Sequence, residues 1–296
     1  MTDDRVETKS LESTITINES YRHLHVMYPL GLTSIQTDNN MGFYFNRNTE
    51  LITPFQEDEG SRAEFITYEV GYELPSYPLN EMRKEQRFTN VPEGFIDRYT
   101  QLPDSLPSRV RDLAVQITAN ADNQFDQAKA IENYLGSVEF TYDKEEVAIP
   151  KEDQDYVDQF LFETLKGYCD NFSTSMIVLL RSVDIPARWV KGYTEGDFIN
   201  NVTSTEKEYQ VTNNNAHSWV EIYFDGVGWV PFEPTKGFVN PYDLTFDYKN
   251  TEVEQNQIGE EDSSTEKEEQ EQKQTPEKPE KEKQETTAPT DNKGLS

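Results

Sequence analysis

One cysteine and three histidines occur in 296 residues, so the side chains able to act as nucleophile or imidazole base can be taken one by one. Cys169 follows Gly167-Tyr168 and opens CDNFSTSMIVLLR, where Phe172, Met176, Leu179, Leu180 and Val183 share one helical face. Pro186 is expected to end that helix, and ARWVKGY resumes as a strand. This spacing predicts Cys169 in the first turn of a buried helix, behind a flexible Gly-Tyr entry. Free N–H groups and the positive end of the helix dipole favour a thiolate there, lowering a thiol pKa from its ordinary value of about 8.5. Asp170 opposes that shift with a neighbouring negative charge, so a basic partner is required. On position alone, a small buried hydrophobe is the commoner fate of a lone cysteine.

His217 lies in AHSWVEIYF, which alternates with His217, Trp219, Glu221 and Tyr223 on one face. Asp225-Gly226 signals a turn and GWVPF returns as a second strand, carrying Glu233 just beyond its end. Parity then makes a demand, because opposed residues of an antiparallel hairpin have a constant index sum. His217 and Glu233 share a face only if that sum is even. A two-residue loop pairs Phe224 with Val227 and fails. A three-residue or bulged loop pairs Phe224 with Gly228, sets Glu233 opposite Trp219, and leaves it diagonal to His217, within side-chain reach. Thiol, imidazole and carboxylate would then suit acyl transfer. His217 takes the thiol proton and later protonates a leaving amine, and Glu233 holds the imidazole tautomer.

The elements that must position these groups differ along the chain. Residues 15–100 hold short β-branched and aromatic runs (TITI, HLHVMY, GFYF, AEFITYEVGYEL) broken by Gly, Pro and Asn. From Leu106, RVRDLAVQI and FDQAKAIENYL space apolar residues as amphipathic helices do. DKEEVAIPKEDQDY reads as an acidic loop. Domains are expected at 1–100 (β-rich), 101–250 (the core carrying the chemistry) and 251–296. The last segment holds 14 acidic and 6 basic side chains and almost nothing apolar, so a disordered acidic linker is expected. Its net of −8 leaves −21 of the total −29 for residues 1–250. Such a surface repels nucleic acid and anionic membrane and attracts cations, amines included. No run approaches the roughly 18 apolar residues of a membrane span, and MTDDRVETKS lacks the regions of a signal peptide. Read as it stands, the chain is expected to be a soluble fragment.

The stretches GYCDNFSTSMIVLLRSVDIPARWVKGY and AHSWVEIYFDGVGWVPFEPT together resemble the core of bacterial transglutaminase-like proteins. The resemblance runs from about Leu102 to Gly237. It implies an α+β fold, with a papain-like transglutaminase core in which a helix packs on an antiparallel sheet. A β-rich subdomain precedes that core. The resemblance assigns nucleophile, base and acid to Cys169, His217 and Glu233, although the family usually has Asp at the third position. It implies attack on a glutamine-type or peptide amide through a thioester, then transfer to a primary amine or water, with no cofactor. A peptidase or amidase on the same triad and a catalytically weak binding module stand as alternatives. YTQLPDSLPSRV before the core resembles large bacterial membrane proteins with an extracytoplasmic core. That implies a membrane-anchored whole and a protein or peptide acyl donor. The 46 residues of 251–296 would then serve as a tether of about 35–40 Å.

Trp219 and Tyr168 are expected to wall the substrate site, and an oxyanion hole needs the Cys169 N–H plus a further donor, with Tyr142 and Tyr168 open choices. His23 and His25 alternate at a spacing that could suit a metal, but without a third ligand none is expected. Arg181 and Arg188 are expected to brace helix and strand by ion pairing, and Trp189, Trp219 and Trp229 to be mostly core.

Overall fold

The computed structural model describes residues 6–18, 24–37, 40–58, 60–61, 63, 66–242 and 244–245. The first strands are β1 (Glu7–Thr16), β2 (Leu32–Gln36), β3 (Met41–Phe45), β4 (Ile52–Gln56) and β5 (Thr67–Pro78). Helices α1 (Leu79–Met82), α2 (Phe95–Thr100), α3 (Ser108–Thr118) and α4 (Gln124–Leu135) follow. After β6 (Thr141–Tyr142), α5 (Tyr156–Gln159) and β7 (Lys166–Gly167) comes α6 (Cys169–Arg181). The chain then runs through β8 (Ala187–Tyr193), β9 (Asp197–Asn201), β10 (Lys207–Gln210), β11 (Ala216–Phe224), β12 (Gly228–Phe232) and β13 (Leu244–Thr245).

The expected α+β core is present. Strands order as β12-β11-β8, all antiparallel. Val220, Ile222 and Phe224 of β11 alternate into a cluster that holds Phe172, Met176, Leu179 and Leu180 of α6, with Val110 of α3 and Ile131 of α4. Fully burying one such side chain contributes about 1.5–3 kcal/mol, which makes this packing the main reason α6 sits where it does. The helix ends before Pro186 is reached. Asp184 takes a left-handed φ of 60°, and the Ile185 N–H donates back to the Leu180 carbonyl at 3.0 Å, the pattern of a Schellman-type stop. Arg181 braces this corner through carbonyls instead of carboxylates: it donates to Ala187 O at 2.8 and 3.1 Å and to Gln101 O at 3.0 Å.

β1 and β2 flank β5. The change in character near residue 100 is one of secondary structure, because Val6, Tyr77, Leu79 and Met82 join the same buried cluster as α6. The described residues, from Val6 to Thr245, pack as one compact unit. A smaller cluster gathers Val26, Ile52, Tyr68 and Val70. HLHVMY is not a strand over its described part. Met27 has its N–H and carbonyl both satisfied by the Tyr68 hydroxyl (3.0 and 2.8 Å), so no ladder is needed there. The expected disordered linker, and His23 of the histidine pair, lie outside the described residues. Among those described, no helix is long and apolar enough to cross a membrane.

One polar lock ties the N-terminal strands to the outer face of the core sheet. Arg188 of β8 bonds Glu221 Oε2 through Nε (2.7 Å) and Nη2 (2.6 Å), and Glu50 through Nη1 (2.6 Å). Its guanidinium lies 4.4 Å from the Trp229 ring. Glu221 is only 3% exposed, and burial raises its pKa against the opposing pull of Arg188. Removing the cation strands a buried carboxylate. Arg188→Met should therefore cost about 3–5 kcal/mol, read from the urea midpoint, and adding Glu221→Leu should recover most of it. A loss below about 1 kcal/mol for the single variant would show that apolar packing alone holds the two regions together.

Candidate active site

Cys169 is the first residue of α6 and is 7% exposed. Its entry is fixed. Gly167 pairs with Tyr142, a Cβ there would stand 2.5 Å from the Asn171 side chain, and Asn171 Oδ1 accepts the Tyr168 N–H at 3.1 Å. On the sheet, Phe224 opposes Gly228 and Val220 opposes Phe232. This is the even-sum register, closed by the three residues Asp225–Val227, with Gly226 at φ 74° and Gly228 at φ 99°. Positive φ is what glycine supplies here. Asp225 stays in the turn, and its N–H donates to Gln86.

The register delivers the carboxylate. Glu233 Oε2 lies 2.6 Å from His217 Nε2, and both side chains are under 10% exposed. Glu233 Oε1 accepts the Thr235 N–H at 2.8 Å, and the Glu233 N–H donates to Glu132 Oε1 at 3.1 Å. The glutamate is thus held at both oxygens and at its backbone. With Nε2 committed, Nδ1 of His217 is buried and has no hydrogen-bond partner. The His217 ring and the Cys169 thiol are electrostatically coupled. Burial pushes the thiol up, but the His217 ring and the Ser218 hydroxyl and N–H outweigh it, so the thiol titrates below its ordinary value. Burial pushes the imidazole down, but Cys169 and Glu233 outweigh it and raise its pKa from 6.5 to about 9.

Several contributors escaped the sequence reading. Phe238 stacks on His217 (4.4 Å between centroids, 12° between planes), and the Tyr142 ring meets Phe238 at a tilt, 5.4 Å between centroids. Glu132 falls on the apolar stripe of α4 beside Ala128, Ile131 and Leu135, and that misplaced charge was its signal. Beneath the thiol, Ser218 Oγ donates to Asp170 Oδ1 at 2.8 Å. Ser173 Oγ lies 3.0 Å from Ser218 Oγ, donates to the Cys169 carbonyl at 2.7 Å, and accepts the Trp189 Nε1–H at 2.8 Å. Ser218 therefore occupies the Asp170 oxygen that also stands 3.9 Å from Cys169 Sγ. Trp189 is 40% exposed and belongs to this network more than to the core.

Trp219 lies across Gly192, where a Cβ would meet its ring at 2.6 Å, with its ring 6.5 Å from His217. Tyr168 caps α6 one residue before the thiol. Burial holds the Tyr142 phenol up at about 12, with Cys169 and Glu233 adding to it, and Tyr168 is raised by burial, Asp170 and Cys169. Both hydroxyls thus remain protonated donors near the thiol. Among the described residues no group of three or more His, Cys, Asp or Glu could hold a metal ion.

The pH behaviour follows from the signs. Thiolate and imidazolium coexist above the lowered Cys169 value and below the raised His217 value near 9. Iodoacetamide should alkylate Cys169 well below pH 8, and His217→Ala should move that limb upward by about one unit or more, since the stabilising cation is gone. An unmoved limb would remove the ion pair.

Residues 111–234 match the core of the transglutaminase-like superfamily. The uncharacterized protein YebA of Bacillus subtilis is 52% identical over 244 residues, which is 82% of this chain and 33% of that protein. A protein-glutamine gamma-glutamyltransferase of Pseudomonas aeruginosa is 36% identical over 86 residues, 29% of this chain and 12% of that protein. This chain thus spans a third or less of the length of either relative. The crystal structure of the periplasmic domain of TgpA from Pseudomonas aeruginosa, bound to ethylmercury, superposes with a TM-score of 0.54 at 20% identity, over 79% of this chain and 74% of that one. Cys169, His217 and Glu233 all fall inside residues 111–234, the span that matches the core domain of the transglutaminase-like superfamily.

Proposed function

We propose that the site catalyses cysteine-dependent acyl transfer: Cys169 attacks a glutamine-type or peptide amide, and a primary amine resolves the thioester. The observation that carries this reading is the division of labour on His217. Glu233 holds Nε2 at 2.6 Å while Nδ1, buried and unpartnered, is left to exchange a proton with the thiol and the leaving group. The thiolate adds to the carbonyl carbon, and the developing oxyanion lies at the N-terminus of α6, where the Cys169 N–H and the Tyr142 or Tyr168 hydroxyl can donate. Imidazolium Nδ1–H then protonates the departing nitrogen, and ammonia or an amine leaves. A neutral amine attacks the thioester, His217 takes its proton, and the thiol is released with a new amide bond. Trp219 and Tyr168 are proposed to line the acyl site.

The reading extends to place and partner. The fold shared with a periplasmic domain supports an extracytoplasmic, membrane-anchored setting, and digestion of the tagged domain by protease added to unlysed spheroplasts would test it. The charge of −21 on residues 1–250 supports cationic amine acceptors, whose arrival a negative field accelerates. Incubating the protein with a glutamine-bearing peptide and a primary amine, then reading products by mass spectrometry, tests the reaction. An amine adduct supports transfer, and cleavage alone would make the protein an amidase or peptidase on the same triad. With Cys169→Ala all product should vanish, and absence of product from the parent chain too would favour the binding-module alternative.

Two further outcomes are expected. Glu233→Gln should lower kcat about 10²–10⁴-fold with little loss of stability, because an amide cannot fix the tautomer that the carboxylate fixes. Parity with aspartate would suggest that Glu233→Asp retains or raises activity. The 2.6 Å contact, made by a side chain already anchored at its other oxygen, reverses that: the shorter residue should lose about 10-fold or more, read in kcat. A cationic acceptor should outrun a neutral analogue of similar size at low salt, with the advantage shrinking as the Debye length falls to about 8 Å near 0.15 M. Equal incorporation at both ionic strengths would remove steering and leave the triad standing.

A further inference from the structure

The segment between β8 and β11 leaves the core at the His217 end of the sheet. Gly192 pairs with His217 and Tyr193 with Ala216, and the Thr194 N–H closes the base on Asn215 O at 2.9 Å. Beyond that base β9 and β10 pair only with each other, and all nine of their residues are exposed. A two-stranded ribbon is marginal in water, and its outer edges present unpaired backbone groups. Seven of the seventeen exposed large apolar side chains among the described residues fall between Trp189 and Val211. A surface that costs stability in this way, joined directly to the catalytic strand, points to a binding role.

Its chemistry narrows the occupant. Phe198 opposes Tyr209, their rings meet edge to face at 5.8 Å, and burial together with the nearby Glu195 carboxylate raises the Tyr209 phenol. Those three side chains line a shallow concavity with Gly196, Asn201 and Lys207. Two aromatic faces ending on a carboxylate suit a long aliphatic stem with a cationic head, which is a lysine side chain. Over residues 193–216 four carboxylates (Glu195, Asp197, Glu206, Glu208) face one cation, Lys207. An open strand edge suits an extended polypeptide, which adds by main-chain hydrogen bonds.

We propose that the β9–β10 ribbon is the docking arm for a lysine-bearing extended segment of a protein acceptor, held by strand addition and by the Phe198–Tyr209–Glu195 face. Its purpose rests on the acyl-transfer reading, but its test does not. The Cys169→Ser chain, unable to turn over, is titrated with a fluorescent peptide alternating Lys and Val and with its Glu-for-Lys counterpart. The lysine peptide should bind, the glutamate peptide should not, and Phe198→Ala/Tyr209→Ala should weaken binding about tenfold. Glu195→Gln, which leaves both rings in place, should weaken it several-fold and reduce its salt dependence. In the Cys169-containing chain the same substitutions should leave iodoacetamide alkylation unchanged and raise KM for a polypeptide acceptor but not for a small amine. Equal binding of the two peptides, binding untouched by both variants, or a chain dimer dissolved by Phe198→Ala/Tyr209→Ala would overturn the proposal. Lysine-peptide binding through the ribbon without any amine adduct would uphold docking and sink the acyl-transfer reading.

Discussion

Burial by itself would discharge both partners of the site, pushing the Cys169 thiol up and the His217 imidazole down. The remainder of the core reads as an answer to that pull. Glu233 supplies the compensating charge at 2.6 Å. Phe238 offers its ring face to the imidazole, and the Ser218 N–H favours the thiolate while the Ser218 hydroxyl is given to the Asp170 carboxylate beside it. A pair so placed is costly to break from one side, since the survivor is a charge in a dry setting. The arrangement is therefore a coupled unit whose titration belongs to the pair more than to either residue.

Holding three groups to within a fraction of an ångström requires elements that cannot slide. The helix is fixed lengthwise by its apolar face and by its stop at Asp184. The strands are fixed by parity, because a slip of one residue at the Asp225–Val227 turn would send Glu233 to the opposite face. The loop after β12 is tied down separately. Lys236 donates to Ser137 O and Phe140 O, and Glu132 of α4 holds the Glu233 backbone. Helix α4, which carries no proposed chemistry, thus sets where the acid can be.

What could be read beforehand was local. A cysteine at a helix start, an alternating histidine strand and a glycine in the right place for a bulged turn are short-range patterns, and each corresponds to an element found. The parity argument worked because hairpin register depends on only a few residues around one turn. Contacts that depend on distant chain segments were not legible. Phe238 covers His217 from 21 positions away, and Ser173 and Ser218 meet only after α6 docks on β11. Met27 likewise satisfies its backbone on Tyr68, which no strand propensity foretells. Arg181 failed as an ion-pair assignment because carbonyls exposed at a helix stop compete well for a guanidinium, and sequence gives no view of carbonyls.

The glutamate at position 233 shows how such distant contacts decide a local question. A longer acid gains reach and loses definition, since each added rotatable bond must be ordered on folding. Here the added bond is restrained at once by Thr235, whose N–H takes Oε1, and by Pro234, which fixes the turn that presents that N–H. Oε2 is then left with one geometry, directed at His217 Nε2. Phe238, five residues further along the same loop, lays its ring over His217. Acid, loop and covering ring are in this sense one device, and shortening the acid would disturb all three.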